Sequence, residues 1–277
     1  MFSILILTFN SRAFIKNCLD SVLIQKQRDF EIIVVDNGSQ DGTAALVRKD
    51  YPSVLLIENE KNLGASKARN QGIEIAKGEW VIALDCDVIL GNNFLFEAAQ
   101  LMKSASYSIG MIQPKILNSD GKRIFSAGIR VSSLIRFHDI GKGNLDNGRF
   151  NTLKHIFGAC SAAAFYRKDM LIDLKDKWGY FDERFFFLFE DVDLSWRAKD
   201  KGWDALFSPS LLCYHHGNSS STEKKLRQYL CWRNRKLIIE KCAQGGFKLF
   251  IIRLCYDFPR LILMFFTNPR PWQENKF

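Results

Sequence analysis

Two carboxylates one residue apart, Asp85 and Asp87, close an apolar run that begins at Trp80 and reads Trp-Val-Ile-Ala-Leu. Paired carboxylates repel each other unless a cation sits nearby. Hard divalent ions such as Mg²⁺ or Mn²⁺ are typically held by one or two carboxylates while phosphate oxygens complete the shell, so the pair points to a metal–diphosphate site. A second acidic group, Glu190, Asp191 and Asp193, follows the run Phe185-Phe186-Phe187-Leu188-Phe189 and opens a segment with helical spacing. Acids in a first helical turn are stabilised by the helix dipole. A carboxylate crowded by bulky apolar groups is also poorly solvated, and the raised basicity suits a general base; the residues themselves leave both roles open. His215 and His216 end a third apolar run just before Gly217 and the hydroxyl-rich Ser219-Ser220-Ser221, and either imidazole can serve as a metal ligand.

These groups need elements that bring them together. Apolar runs predict strands over 3–9, 30–36, 54–57 and 80–88, the second ending in Asp36 and the fourth carrying Asp85 and Asp87 at its mouth. Between them, helical spacing (Phe14, Cys18, Leu19, Val22) follows Asn10-Ser11, which suit an N-cap, and a helix is expected from about 65 to 76 after Asn62-Leu63-Gly64. Alternating strands and helices imply a parallel sheet with right-handed crossovers, and ligands of such sheets bind outside the carboxyl ends of the strands. The turn after the first strand, Thr8-Phe9-Asn10-Ser11-Arg12-Ala13, lacks the glycines of a dinucleotide-binding loop, and no Walker A sequence is present. A ligand must then be held by side chains at strand ends, chiefly Asp36 and Asp85, with the amides at Gly64 and the following helix start available for anionic groups.

Further along, a helix is expected over 93–104 and a strand over 109–113. Residues 118–150 read as a variable insertion above the site, with a possible hairpin at Asp120-Gly121. The small residues of 157–165 suit either close approach of backbone to a ligand or a tightly packed internal strand.

A chain of 277 residues, 47% hydrophobic and 25% charged, has the make-up of a globular protein with a substantial core, which argues against extensive disorder. Seven cysteines, an odd number with no Cys-x-x-Cys pair, fit a reduced cytosolic setting better than a disulfide framework. The apolar start lacks a basic leader and a cleavage site and reads as a strand. From residue 223 onward, 12 Lys and Arg face 4 Asp and Glu, so +8 of the formal +9 lies in the tail. Nucleic acid fits that charge poorly, because the tail's aromatics sit in apolar runs and no recognised binding module is present.

Assembled, Val34-Val35-Asp36-Asn37-Gly38-Ser39 with Asp41-Gly42-Thr43, Asn62-Leu63-Gly64 with Ala68-Arg69-Asn70, and Asp85-Cys86-Asp87 form one ordered set. Phe181-Asp182-Glu183 through Glu190-Asp191-Val192-Asp193-Leu194 to Arg197, then His215 and Arg233-Asn234, extend it. Over about residues 2–236 the chain thereby resembles the family 2 glycosyltransferases, and within them the rhamnosyltransferase-like branch that builds bacterial surface polysaccharides. The resemblance implies an α/β GT-A fold: a Rossmann-like, mostly parallel central sheet flanked by helices, with a C-terminal helical extension. A transferase domain would occupy 1–222, its nucleotide half about 1–90 and its acceptor half about 91–222, followed by a basic amphipathic helical tail over 223–277. The implied reaction moves one sugar from a nucleoside-diphosphate sugar to a hydroxyl of a glycan acceptor, with inversion and with Mg²⁺ or Mn²⁺ as cofactor. In that reading Asp36 contacts the nucleotide base and Asp85 the ribose, with Thr8, Asn10, Asn62, Gly64 and Arg69 in the same donor-binding set. Asp87 and His215 hold the metal, and Asp191 is the catalytic base.

The doubled His215-His216 leaves the ligand imidazole open. No Gln-x-x-Arg-Trp follows Asp191, so the processive synthases that carry this motif match poorly and single-sugar transfer is expected. A sugar-1-phosphate nucleotidyltransferase would show a Gly-x-Gly-x-Arg loop after the first strand, which is missing. A reading from a different class is a catalytically inactive, membrane-associated carbohydrate-binding homologue, against which the intact acids at every matched position speak.

Residues 246–266 are very apolar yet carry four charges and a proline, which is costly for a spanning helix. The expectation is peripheral docking on the anionic cytoplasmic face of the cell membrane, where a lipid-linked acceptor would present its sugar; core-packing C-terminal helices are the other reading.

Overall fold

The computed structural model describes residues 1–217, 224–242 and 246–267. Its first ninety residues form β1 (Phe2–Thr8), α1 (Arg12–Leu23), β2 (Phe30–Asp36), α2 (Thr43–Asp50), β3 (Leu55–Glu58), α3 (Ala65–Ile75), β4 (Trp80–Asp85) and β5 (Val88–Leu90). There follow α4 (Phe94–Ser104), β6 (Ile109–Asn118), β7 (Ile124–Ser126), β8 (Ile129–Val131), β9 (Phe137–Asp139), β10 (His155–Ile156), β11 (Ala163–Arg167) and α5 (Lys168–Leu174). The chain continues through α6 (Glu190–Asp200), β12 (Asp204–His215), α7 (Lys224–Cys242), α8 (Gly246–Ile252) and α9 (Phe258–Thr267).

The main sheet runs β10-β12-β6-β11-β4-β1-β2-β3, with β5 joined to β12 and β7 to β6. Along that path β11 opposes both its neighbours and β10 opposes β12, while every other adjacent pair is parallel. The carboxyl ends of β1, β2, β4 and β12 therefore share one edge, and their last residues are Thr8, Asp36, Asp85 and His215. Winding reverses at β1, between β2 on one side and β4 on the other, which opens a crevice at that edge.

The strands carry unbroken apolar runs because both sheet faces are buried. Ile4, Ile6, Ile32, Val34, Ile82 and Leu84 pack with Ile15, Leu19 and Phe94 of α1 and α4. Their neighbours Leu5, Ile33, Val35, Val81 and Ala83 pack on the opposite face with Ala68, Ile73, Leu171 and Leu194 of α3, α5 and α6.

Local structure departs from expectation at the start of α1. The Ser11 hydroxyl donates to the Phe9 carbonyl instead of capping the helix, and the Arg12 amide donates to Asp41, in the loop after β2, at 2.9 Å. Asn10, with φ 50, turns its side chain to accept from the Gln40 amide at 2.8 Å, so the loops after β1 and β2 are tied together before either helix begins. The insertion is also more ordered than its composition suggests. A turn through Gly121 (φ 66) leads from β6 to β7, and β8 and β9 form a separate antiparallel pair.

That pair is where the C-terminal helices attach. Ile238 packs with Ile129, Phe185 and Val192, and Ile239 packs with Ile135 and Ile252. Arg235 donates to the carbonyls of Leu134 and Ile135 and pairs with Asp257 at 3.0 Å. Lys241 pairs with Asp182 and with Asp193, each at 2.8 Å, and both carboxylates are fully buried. Burial alone would raise the Asp182 pKa, but Arg184 and Lys241 outweigh it and hold the carboxyl down at about 2. Two acids of the Phe181–Leu194 motif region are thus scaffold, ion-paired to Lys241 of α7.

Beyond α7, Ile252 faces inward while Phe250, Leu254, Phe258 and Ile262 are each at least 43% exposed. Among the described residues no helix is long and apolar enough to cross a membrane. The Ser219–Ser221 stretch and the tail from 268 to 277 lie outside the described residues.

Candidate active site

The turn after β4 carries Cys86 and Asp87 into β5, which pairs antiparallel with the end of β12 so that His215 stands opposite Val88. This register brings His215 Nε2 within 3.2 Å of Asp87 Oδ1 and 3.9 Å of Asp85 Oδ2. One ligand atom from each of Asp85, Asp87 and His215 lies within 4.8 Å of the others, a spacing that suits a shared cation. Asp87 is buried and accepts from the Gly217 amide at 3.1 Å, while the Asp85 side chain is 34% exposed to the cavity. Burial disfavours a charged imidazole, yet Asp87 and then Asp85 outweigh it and raise the His215 pKa. The position thus favours positive charge, and an oxygen-rich donor set with one imidazole fits Mg²⁺ or Mn²⁺. His216 turns away: its ring packs on Phe14, with centroids 5.0 Å apart. Of the two histidines, His215 is the one the fold brings to the carboxylates.

A cavity of about 430 Å³ is lined by Asp85, His215, Arg69 and Asp191, with Phe125, Phe137, Phe187 and Phe189 among its apolar walls. Asp191 Oδ2 accepts from the Ser161 amide at 3.1 Å and Oδ1 from the Val192 amide at 2.8 Å. Burial, followed by the neighbouring Glu190 charge, pushes the Asp191 carboxyl well above the usual range, to about 7. A carboxylate of that basicity can accept a proton from a hydroxyl near neutral pH. Buried Arg69 donates to Glu190 Oε1 at 2.5 Å and to Asp85 Oδ1 at 3.3 Å, so one guanidinium joins the first acidic cluster to the second.

The remaining donor-side candidates occupy the loops of the same sheet edge and not the cavity lining. Thr8 is buried at the end of β1. Asp36, 2% exposed, accepts from the Ser39 hydroxyl at 2.6 Å and from the Ser39 amide at 2.9 Å. Asn62 Oδ1 accepts from Asn37 Nδ2 at 2.8 Å and from the Gly64 amide at 2.9 Å. Gly64 has φ 87, and a Cβ there would lie 2.5–2.9 Å from the Phe186 ring and backbone, so the site requires glycine. The helix start expected to receive an anion is already occupied: the Ala65 and Ser66 amides both donate to the Phe186 carbonyl, at 2.5 and 3.4 Å. An oxygen turned onto a helix N-terminus satisfies the same orphan donors an anion would.

Sequence reasoning assigned no role to Ser161, whose amide holds the candidate base, and none to Glu190 as the partner of Arg69. The small-residue stretch 157–165 contained the signal for the first: Cys160, Ser161 and Ala162 line the cavity, and β11 is the packed strand behind it. The packed-strand reading thus holds for 163–165, while 160–162 place backbone at the cavity wall.

A sheet of this order, with carboxylates and an imidazole gathered at its carboxyl edge, is the GT-A arrangement of glycosyltransferases. The chain belongs to glycosyl transferase family 2, whose sequence pattern matches residues 3–175. Poly-beta-1,6-N-acetyl-D-glucosamine synthase of Staphylococcus aureus (strain COL) is 26% identical over 214 residues, covering 76% of this chain and 48% of the relative, so the chain spans about half that protein's length. In structure the chain is similar to S. aureus TarS 1-349 in complex with UDP, with a TM-score of 0.57 and 22% identity over 88% of this chain and 67% of that one. The mannosyltransferase PcManGT from Pyrobaculum calidifontis in complex with GDP-Man and Mn²⁺ gives a TM-score of 0.64 at 18% identity, covering 96% of this chain and 74% of that one.

Proposed function

We propose that this protein transfers a single hexosyl or rhamnosyl unit, with inversion and with Mg²⁺ or Mn²⁺ bound, from a nucleoside-diphosphate sugar to a hydroxyl of a glycan acceptor in bacterial surface polysaccharide synthesis. The observation that carries this reading is one cavity lined both by Asp191, basic near neutrality, and by Asp85 and His215, behind which buried Asp87 completes the metal-spaced group. Asp36 takes the nucleotide base and Asp85 the ribose, while Asp87 and His215 hold the cation. When bound, that ion offsets the charge growing on the leaving diphosphate. Asp191 accepts the proton of the acceptor hydroxyl as its oxygen attacks the anomeric carbon from the face opposite the leaving group, which inverts the centre. The phenylalanine walls keep water from competing with the acceptor. Solved neighbours with UDP and with GDP-Man and Mn²⁺ support a nucleotide-sugar donor. Transfer of one unit is supported by Gln228-Tyr229-Leu230-Cys231-Trp232, which has Cys231 where the processive motif has arginine.

The direct test presents the protein with a panel of UDP-, dTDP- and GDP-sugars, with and without Mn²⁺ or Mg²⁺. One nucleotide class is expected to raise the melting temperature only when metal is present, and its sugar to be released slowly to water. A panel that leaves melting and hydrolysis unchanged under every metal condition refutes the donor reading.

The acceptor in this reading is lipid-linked and the enzyme peripheral at the cytoplasmic membrane face. Support comes from Phe250, Leu254, Phe258 and Ile262, exposed beside Arg253 and Arg260 in a stretch, 246–267, that holds three basic residues and one acidic. Basic residues near an anionic surface contribute about 1 kcal/mol each, a term that salt screens, while the aromatic and aliphatic contribution persists. The full chain is expected to sediment with anionic vesicles, less so at high salt, and the double variant Phe250→Ser, Phe258→Ser to lose the salt-resistant part. A full chain that ignores anionic vesicles at low salt rules this docking out.

A further inference from the structure

We propose that Asn234, with Arg233 behind it, is a positioning residue for Asp191: from α7 it holds the loop 185–189 in the shape that delivers the catalytic carboxylate. The inference rests on the reading of Asp191 as the base and adds a control element to it.

The loop is unusual in its backbone. Phe186, Leu188 and Phe189 have φ 57, 71 and 68, the left-handed region that non-glycine residues avoid. Three such residues among four positions persist only when the surroundings over-determine them. The surroundings here are side chains of α7. Asn234 is fully buried, and its Nδ2 donates to the carbonyls of Phe185 at 3.1 Å, Phe187 at 2.8 Å and Leu188 at 2.6 Å. Two N–H groups thus serve three acceptors. The orientation of the amide is fixed by Arg233, whose Nε donates to Asn234 Oδ1 at 2.9 Å. Arg233 Nη2 extends the same clamp to the carbonyls of Arg184 at 3.0 Å and Phe185 at 2.9 Å.

Four of five successive carbonyls, those of 184, 185, 187 and 188, therefore turn toward α7. The fifth, of Phe186, turns to the amides of Ala65 and Ser66 at the start of α3, the helix that carries Arg69. The loop then enters α6 through Phe189, an N-cap residue in the left-handed conformation with no side chain able to cap. Glu190 and Asp191 are the first two residues of that helix, so the dihedral angles at Leu188 and Phe189 set where both acids point. Phe187, Leu188 and Phe189 also line the cavity. An aspartate at 234 would present oxygens to three carbonyl oxygens, and a leucine would remove the donor to the Phe187 and Leu188 carbonyls, leaving Arg233 to hold that of Phe185; an amide supplies the donors in the shortest side chain.

Release of the clamp lets Leu188 and Phe189 return to ordinary backbone angles, and Asp191 and Glu190 move with them. The strand core and the contact of Asp87 with His215 and the Gly217 amide involve none of these bonds, and Asp85 is touched only through Arg69.

The test compares the full chain with its Asn234→Ala, Asn234→Asp and Arg233→Ala variants by hydrogen exchange, by calorimetry with UDP or GDP and Mn²⁺, and by transfer kinetics. Loss of amide protection is expected over 185–193 and at 65–66, with the sheet strands unchanged and with the nucleotide affinity of the wild type. Turnover should fall about 10²-fold, the scale of a misplaced catalytic group, with a smaller fall for Arg233→Ala, which keeps the amide. The acid limb of the pH–rate profile should move to lower pH as water reaches Asp191. Wild-type protection at 185–193 in Asn234→Ala, or lost protection with undiminished turnover and an unmoved acid limb, overturns the proposal. So does uniform loss of protection and nucleotide binding in every variant, which is the signature of a purely structural residue. If the alanine variant does not fold, Arg233→Ala alone decides between these outcomes. Failure of Asp191 to act as base is read separately, from an Asp191→Asn protein whose loop remains protected.

Discussion

Asp191→Asn is expected to lower turnover by roughly 10²–10⁴-fold while leaving metal-dependent nucleotide binding at the wild-type level. The carboxamide is nearly isosteric and its oxygen can still accept from the Ser161 amide, while its NH2 gives up the bond from the Val192 amide, so the cavity keeps its shape and loses its proton acceptor together with one local hydrogen bond. Wild-type turnover should rise with pH through about 7, the value to which burial and Glu190 push this carboxyl, and the residual activity of the variant should lack that limb. Stability should respond in the opposite sense. The folded state keeps a proton on Asp191 up to about pH 7 and the unfolded chain only to about 4, so the folded state binds more protons between them and loses stability as pH rises through that window. At pH 8, where the ionised group burdens the folded state fully, the variant should melt higher than the wild type by a few degrees. Thermal melts at pH 5 and pH 8 check this. Collapse of nucleotide binding in the variant would instead make Asp191 structural and move the search to Glu190, because Asp193 is fully buried and paired with Arg197 and Lys241.

The nucleotide half was legible because its strands are buried on both faces and announce themselves as unbroken β-branched runs, each ending in a polar residue at the sheet edge. Asp36 and Asp85 end strands with the same direction, so their positions follow from the run alone. Less could be read where pairing is non-local. Nothing in the sequence places the antiparallel β11 between β4 and β6, and the end of β6 at Asn118, five residues past expectation, depends on cover from β12 and β7. The choice between His215 and His216 has the same origin. His215 is the last residue of β12 and His216 lies just past it, and only the register of β12 against β5 shows which one looks toward Asp87.

Two expectations about local chemistry depended on residues far along the chain. The N-terminus of α3 reads as an anion site until the Phe186 carbonyl is found on it. The +8 counted from residue 223 onward is part of the case for anionic lipid, yet on α7 Arg233, Arg235 and Lys241 turn inward to carbonyls and buried carboxylates. Net charge reports a composition; only packing shows which cations are still available to a partner. In the segment after α7, Arg260 is bonded to the Tyr256 hydroxyl and stacks on its ring, while Arg253 is exposed beside Leu254.

Asp87→Ala is expected to abolish transfer, by roughly 10³-fold or more, and to remove metal-dependent nucleotide affinity with it. Its carboxylate is the buried member of the group, held by the Gly217 amide at 3.1 Å and facing His215 Nε2 at 3.2 Å, so its loss removes a candidate ligand and the orienting partner of another. His215→Ala should reproduce the coupled loss more weakly, because both carboxylates survive. His216→Ala should not, since that side chain packs on Phe14 outside the group. Asp36→Ala should separate the two effects from the other direction: weaker nucleotide binding with the metal requirement intact, as expected of a side chain at the base end of the donor site. Calorimetry with UDP or GDP, with and without Mn²⁺, distinguishes these patterns without any knowledge of the sugar. Equal nucleotide affinity in wild type and Asp87→Ala at every Mn²⁺ concentration would remove Asp87 from the metal site. A cation requirement that survived such a result would have to be met elsewhere, and among the described residues Asp85, Asp87 and His215 are the one acidic and imidazole group with the spacing to meet it.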